Sequence, residues 1–388
     1  MSRKITFTDH LKSDVPAGIV VLLVALPLCL GIALACKVSP LSGIIAGVIG
    51  GIVVGLISGS AVGVSGPAAG LTVVVLHGIQ ELGGFSAFLL ALVAAGIIQI
   101  LLGILKAGII AYYFPSSVIK GMLSAIGIIL ILKQIPHALG YDADYMGDEY
   151  FNQPDGRDTF SEIAVASDHV HAGALLIFLI SIALLMSAEL RRVRAIPLFS
   201  YLPPALWIVV CASVLGVILP WIDDQFLLSS SQLVQLPEAS VFEWGTFIST
   251  PDFSVWSRPA VYLWALTIAA VASLETLLCV EATDKLDPAR CTTPPNRELV
   301  AQGIGNTLSG LIGGLPVTQV IVRSAANINA GAVSKWATVV HGILLLLCVL
   351  MIPHLLNFIP NASLAAILML VGYKLASYQV HLKVWRLG

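Results

Sequence analysis

The chain has 388 residues, of which 57% are hydrophobic and only 11% are charged, and its mean hydropathy is +0.94. This composition lies outside the range of soluble globular proteins and predicts a protein whose solvent is the lipid bilayer. The net charge of −2 leaves no basic surface to neutralise phosphates, which excludes a nucleic-acid partner.

Nine apolar runs are each long enough to cross roughly 30 Å of hydrocarbon. The first run exceeds the apolar part of a secretory signal and lacks a small-residue cleavage site, so we expect it to be retained as the first span. The runs predict an all-α polytopic membrane protein. In chain order they cover residues 15–36, 40–58, 83–105, 116–135, 171–189, 203–220, 259–281, 335–357 and 362–380.

Charged residues in the loops predict the orientation of the chain. Residues 137–170 and 221–257 are strongly acidic, whereas basic clusters lie within residues 1–13, at 191–194 and at the C-terminal end. Basic residues concentrate on the cytoplasmic side of membrane proteins. We therefore expect a cytoplasmic N-terminus at 1–13 and an extracytoplasmic loop at 221–257.

Three landmarks recur at an offset of about 245 residues and indicate an internal duplication. Counting residues 66–80, 298–312 and 316–329 as spans in addition to the nine runs, we assign residues 14–220, with seven spans, to the first repeat and residues 258–388, with five, to the second. Because seven is odd, the two copies are predicted to be inverted in the membrane. The landmarks pair 114–123 with 359–368, Asp14 with Arg258, and Gly66 with Gly314.

Two broken stretches, 66–80 in the first repeat and 316–329 in the second, lie where a span is needed. The first would make a helix of about 22 Å, too short to cross alone. We expect Pro67 and Pro316 to open these half-helices, since proline is tolerated in the first helical turn. Inverted-repeat transporters place their binding sites at such half-helices.

Two half-helix N-termini present unsatisfied N–H groups and the positive ends of two dipoles, which predicts an anion site. Arg323 would raise the positive potential there, unless it pairs structurally with Glu275. The predicted substrate-binding residues are Ala68, Ala69, Gly70, Thr72, Thr318, Gln319, Val320, Arg323 and Ser324.

Glu275 is predicted near the middle of the membrane, where an ionisable group is a functional hypothesis by default. It could bind a coupling proton, coordinate Na⁺ together with the oxygens of Ser273 or Thr276, or balance Arg323. The charged residues from Glu281 to Glu298 are expected in a cytoplasmic loop, most of them solvated. Single cysteines and histidines show no metal-ligand spacing, so no cofactor or metal is predicted.

Five motifs resemble those of the sulfate permease (SulP) family of anion transporters, and the resemblance extends over essentially the whole chain. The resemblance implies seven plus seven spans in a core and a gate domain, substrate between spans three and ten, and an acidic residue on span eight. The family's last two spans and cytoplasmic STAS domain have no counterpart, so we expect a fold truncated after about twelve spans. The motifs are Asp14–Leu28, Val64–Leu71, Tyr113–Gly121, Asn296–Asn306 and Val322–Asn327.

The run Phe114–Asp142 is most similar to bacterial members associated with carbonic anhydrase. This similarity implies bicarbonate as the favoured substrate, a bacterial inner membrane location and carbonic anhydrase as a functional partner, with a homodimer as the candidate assembly. The sodium-coupled bicarbonate transporters of this family look to have Asp and Thr at two positions of span eight. This chain has Glu275 and Cys279 at those positions. Na⁺ and H⁺ therefore both stay open as coupling ions at these two residues.

The function predicted from the sequence is secondary active transport of a small inorganic anion by movement of the core against the gate. A sulfate or chloride transporter or exchanger and an anion channel of the same fold are the alternatives. A nucleobase carrier would need more carboxylates at the site. An enzyme is not predicted, because no nucleophile and base and no metal constellation lies at membrane depth.

Overall fold

The computed structural model describes residues 7–113, 115–143, 158–188, 204–235, 248–351 and 353–376. The chain folds into two compact units. The first combines Met1–Ile119 with Ala239–Leu347, and the second combines Lys120–Glu238 with Cys348–Gly388.

Thirteen helices and one two-stranded sheet make up the main elements of the described residues. The strands are β1, Ser65–Pro67, and β2, Val317–Gln319. The helices are α1 Phe7–Ala35, α2 Pro40–Ile57, α3 Ala69–Leu82, α4 Phe85–Ile104, α5 Ser116–Leu139, α6 Thr159–Asp168, α7 Ala172–Ala188, α8 Pro204–Ile218, α9 Pro259–Leu286, α10 Pro295–Leu311, α11 Ile321–Asn329, α12 Trp336–Met351 and α13 Asn361–Leu375.

Six of these helices are long and apolar enough to cross a membrane by length and composition, namely α1, α2, α4, α5, α8 and α9. Helices α6 and α7 meet at an angle of 114° and would together count as a seventh. Helices α3, α12 and α13 are apolar but shorter. The multi-pass membrane protein predicted from composition is thus confirmed. Its predicted orientation depends on the basic cluster at 191–194 and on the C-terminal end, which both lie outside the described residues.

Each broken stretch opens with a strand and not with a helix, which corrects the predicted bounds 66–80 and 316–329. Pro67 ends β1 and Pro316 precedes β2, so neither proline occupies a first helical turn. A proline disfavours the helical conformation in the residue before it, which is Gly66, within β1, and Leu315, two residues before β2 begins. The half-helices α3 and α11 start only after one further extended residue, Ala68 and Val320 respectively.

The two strands begin 252 residues apart, at Ser65 and Val317, and the two half-helices begin the same distance apart. Gly66 is therefore equivalent in the fold to Thr318, and not to Gly314 as the sequence landmarks suggested. The landmark pairing therefore differs from the pairing in the fold by four residues.

The middle of α2 brings the main chain of β1 close to a membrane-length helix. Residues Gly50–Val54 form a π-helical turn within α2. A Cβ atom on Gly50 would collide with the main chain of Ser65, so only glycine permits this contact. The sheet thus lies directly on α2, inside the first unit.

The second unit is held by apolar contacts among α7, α8 and α13. Ala174, Ile177, Ala212 and Ala362 form its buried cluster. One polar feature is buried with them: Nδ1 of His137 lies 2.5 Å from a carboxylate oxygen of Asp142, and Asn361 donates to the same oxygen at 3.2 Å. These bonds tie the end of α5 to the start of α13.

Candidate functional site

The predicted site is organised by the antiparallel pairing of β1 with β2. Ser65 pairs with Gln319, Gly66 with Thr318, and Pro67 with Val317. Three paired residues span only about 10 Å, because a strand advances about 3.3 Å per residue. The N-termini of α3 and α11 therefore lie at the two ends of one very short sheet.

The N-terminus of α11 is deeply buried and carries one permanent charge. Arg323 is fully buried, and its Nη2 donates to the carbonyl oxygen of Pro67 at 3.5 Å. Its Nε and Nη1 have no hydrogen-bond partner among the described residues. A Cβ atom on Gly66 would collide with Nη1, so the guanidinium group lies directly against β1.

The guanidinium group of Arg323 also lies close enough to Cys29 on α1 and His341 on α12 to interact electrostatically with both. Both side chains are fully buried, and neither ring nitrogen of His341 has a hydrogen-bond partner within the described part of the chain. A buried positive charge is costly unless opposite charge or hydrogen bonds compensate it. Among the described residues, the hydrogen bond to the carbonyl oxygen of Pro67 leaves Nε and Nη1 of Arg323 uncompensated.

Glu275 lies on α9 beside the start of the other half-helix, α3. A Cβ atom on Gly70 would lie 2.8 Å from Oε1 and 3.1 Å from Oε2 of this half-buried carboxylate. Arg323 lies on the other half-helix, α11, so the two residues mark different half-helices. The interpretation in which they balance each other electrostatically stays a prediction.

Ser324 is committed to the protein itself. Its hydroxyl group donates to the carbonyl oxygen of Val320 at 2.8 Å and accepts from the N–H of Val64 at 3.0 Å. The residue thus fastens the first turn of α11 to the segment that leads into β1.

The remaining predicted residues divide into buried and accessible ones. The hydroxyl groups of Thr72 and Thr318 are buried without a hydrogen-bond partner among the described residues. Gln319 donates through Nε2 to the hydroxyl oxygen of Thr283 on α9 at 3.0 Å. Ala68, Ala69 and Cys279 are buried, Val320 is half-buried, and Gly70 is exposed.

The sequence analysis missed a buried polar face on α10. The expectation of a solvated position is wrong for Glu298, which is fully buried and accepts from Ser58 at 2.5 Å and from Gln302 at 2.9 Å. Gln302 also donates to the hydroxyl oxygen of Ser65 in β1 at 2.7 Å. The available signal was the spacing of four between Glu298, Gln302 and Asn306, which places them on one helical face.

Membrane-length helices and a pair of half-helices joined by a sheet define a helical membrane transporter fold. The structure matches a solved structure, the transmembrane domain of the bicarbonate transporter BicA of a cyanobacterium, with a TM-score of 0.66 and 25% sequence identity. The match covers 97% of this chain and 91% of that one. The all-α transporter fold predicted from the sequence is thereby confirmed.

The chain belongs to the sulfate permease family, whose model matches residues 11–388. It is 30% identical to YvdB of Bacillus subtilis over 366 residues, which cover 94% of this chain and 64% of that protein. It is 26% identical to the bicarbonate transporter BicA of Picosynechococcus over 384 residues, or 96% of this chain and 63% of that protein. The chain therefore spans less than two thirds of the length of these two relatives. Members of the family are transporters and not enzymes, as the sequence predicted.

Proposed function

We propose that the protein is a secondary active transporter that binds a small inorganic anion between the N-termini of α3 and α11, with bicarbonate as the favoured substrate. The antiparallel pairing of β1 with β2 carries this proposal, because it holds both N-termini about one sheet length apart. Free N–H groups and the positive dipole end at each N-terminus attract an anion. Arg323, with two unpartnered guanidinium nitrogens within the described structure, adds a full positive charge.

The position of Glu275 supports coupling of the anion to a cation. Its carboxylate lies against Gly70 at the start of α3, on the edge of the proposed anion site. A carboxylate and a substrate anion repel each other at short range, and a proton or Na⁺ on Glu275 would remove this repulsion. We assign Glu275, with Cys279 one turn further along α9, to the coupling site for Na⁺ or H⁺.

Bicarbonate is proposed as the substrate because the chain is similar in sequence and in fold to BicA bicarbonate transporters. Sulfate or chloride transport or exchange and an anion channel are the other forms that the same site would support. The proposal places the protein in a bacterial inner membrane with a cytoplasmic N-terminus and includes movement of the core against the gate. A homodimer and a functional link to carbonic anhydrase are its proposed assembly and partner.

Uptake by the purified protein in lipid vesicles tests this proposal. Labelled bicarbonate, sulfate and chloride would each be offered while the Na⁺ and pH gradients are varied independently. We expect bicarbonate to accumulate against its gradient when one of the two cation gradients is present. Movement that only follows the anion's own gradient, with large electrical currents, would identify a channel instead.

The Arg323→Ala variant tests whether the anion binds at α11. We expect its half-saturation concentration to rise at least tenfold, because a buried hydrogen-bonded charge contributes more than about 1.4 kcal/mol. Arg323→Lys retains the charge without the planar guanidinium group, so its half-saturation concentration should lie between those of the wild type and Arg323→Ala. A half-saturation concentration equal to that of the wild type in Arg323→Ala would contradict the proposed site.

A further inference from the structure

One face of α10 is polar although it is completely buried. Glu298, Gln302, Asn306 and Ser309 are each 0% exposed, and they follow one another along one side of the helix. Buried polar groups are found where hydrogen bonds satisfy them, so the partners of this face show what it holds. Two of the four side chains bond to the strands of the β1–β2 sheet itself.

Asn306 pairs with β2 as a neighbouring strand would. Its Oδ1 accepts from the main-chain N–H of Val317 at 2.6 Å, and its Nδ2 donates to the main-chain carbonyl of the same residue at 3.0 Å. Nδ2 also donates to Oε1 of Gln99 on α4 at 2.6 Å, and Gln99 in turn donates to Ser273 on α9 at 3.2 Å. The amide of Asn306 is thus fixed on one side by α4 and bonded to β2 on the other.

Gln302 holds β1 in a corresponding way, one helical turn earlier. Its Nε2 donates to the hydroxyl oxygen of Ser65 at 2.7 Å and to Glu298 at 2.9 Å. Glu298 is itself held by the hydroxyl group of Ser58, which follows α2. A single rigid helix therefore contacts each strand of the sheet separately, Ser65 in β1 and Val317 in β2.

The sheet needs such support because it is too small to define its own register. Two three-residue strands are not stable alone, and Pro67 has no N–H group to donate to a ladder. A slip by one residue would move one half-helix by about 3.3 Å relative to the other and turn every side chain to the opposite face. An anion held between two N-termini would lose its contacts after such a shift.

We propose that Gln302 and Asn306 are positioning residues that fix the register of β1 against β2 and thereby set the affinity of the anion site. This inference rests on the proposed function, since the affinity in question is that for the transported anion. Neither residue needs to touch the anion. They act through Ser65 and Val317, at the ends of the short sheet from which α3 and α11 start.

Asn306→Leu in the purified protein tests the contact with β2, because leucine has the same branching at Cγ and makes none of the three bonds. Hydrogen–deuterium exchange would follow residues 315–320, and vesicle uptake of bicarbonate would give half-saturation and maximal rate. We expect the amide of Val317 to exchange at least about tenfold faster and the half-saturation concentration to rise about tenfold, with a smaller change in maximal rate.

Thr307→Val is the matched control on the same helix. The Thr307 hydroxyl group donates only to the carbonyl oxygen of Gly303 within α10, at 2.9 Å. This variant should retain the exchange at Val317 and the half-saturation concentration of the wild type. If Asn306→Leu behaves like Thr307→Val, or lowers only the maximal rate while exchange rises throughout the protein, the positioning role is wrong.

A double-variant cycle tests the contact with β1. If Gln302 acts through Ser65, Gln302→Met combined with Ser65→Ala should raise half-saturation no further than the more severe single variant. Fully additive effects would overturn this part of the inference. A wild-type protein that moves no anion would refute the proposed function instead, and the exchange of Val317 in Asn306→Leu would still decide whether α10 holds β2.

Discussion

The two half-helices start at equivalent positions after paired strands and differ in chemistry. Helix α3 begins with a 3₁₀ turn, Ala69–Leu71, and exposes Gly70 beside the carboxylate of Glu275. The first seven residues of α11 are all buried, and they include the charged Arg323. The two N-termini therefore differ in their surroundings. The α11 side supplies fixed positive charge, and the α3 side supplies access and a titratable group.

Gly66→Ala should have the largest effect on anion uptake, because the added Cβ would push β1 away from Arg323 on α11. The new Cβ would collide with Nη1 of Arg323 and lie 3.1 Å from its Cζ, within a buried strand. Overpacking of this kind costs about 1–3 kcal/mol. We expect anion uptake to fall by more than tenfold and the melting temperature to drop. Uptake in vesicles and thermal unfolding in detergent would measure the two effects.

Gly121→Ala is the control for this substitution, because the residue is helical and, among the described residues, no atom outside its own helical backbone lies within 4 Å of the added Cβ. That variant should be neutral or slightly stabilising. In Gly66→Ala combined with Arg323→Ala the collision is removed, so stability should recover while anion affinity stays low. Recovery of affinity as well would show that Arg323 does not contribute to binding.

Glu275→Gln should have the second largest effect on anion uptake, and it changes only the α3 side of the site. Glutamine has the same shape but cannot take up a proton, and as a neutral group it binds Na⁺ more weakly. We expect gradient-driven accumulation of the anion to be lost while the melting temperature stays close to that of the wild type. Accumulation at the wild-type level would refute the coupling role, and a collapse of stability would indicate a structural role.

Gly70→Ala should have a smaller effect on the same side. Its Cβ would lie 2.8 Å from Oε1 of Glu275, but the position is exposed and the carboxylate can shift. We expect the concentration of coupling ion needed for half-maximal uptake to change about three- to fivefold, equivalent to about 0.6–1 kcal/mol. The change should vanish in the Glu275→Gln background, where the carboxylate no longer binds the ion. Persistence of the full change there would place the effect of Gly70 elsewhere.

The membrane-length helices could be predicted from the sequence because a local run of apolar residues specifies each of them. The apolar run 83–105 became α4 and the run 259–281 became most of α9, since about 20 consecutive apolar residues specify a span by themselves. The strands could not be predicted in this way. Each has only three residues, and each pairs with a partner 252 positions away that no local pattern reveals.

The predicted site shows the same limit at the level of single residues. Arg323 was expected to face the protein interior, because a cation is costly in hydrocarbon, and it does. The sequence could not show that α9 places the carboxylate of Glu275 at the start of α3. Asn306 was missed because its hydrogen-bond partners lie on other elements, which no local pattern reveals.

The smallest expected effect concerns the two threonines that occupy opposite sides of the site. Thr72 and Thr318 each bury a hydroxyl oxygen without a partner among the described residues. If these groups bind the anion, replacement of either by valine should raise half-saturation about two- to fivefold, or about 0.4–1 kcal/mol, at unchanged stability. If they do not, valine should leave half-saturation unchanged and raise the melting temperature, because an unsatisfied buried hydroxyl group is removed. A difference between the two variants would show whether the anion lies closer to Thr72 on α3 or to Thr318 in β2. The charge of Arg323 on α11 leads us to expect the larger effect at Thr318.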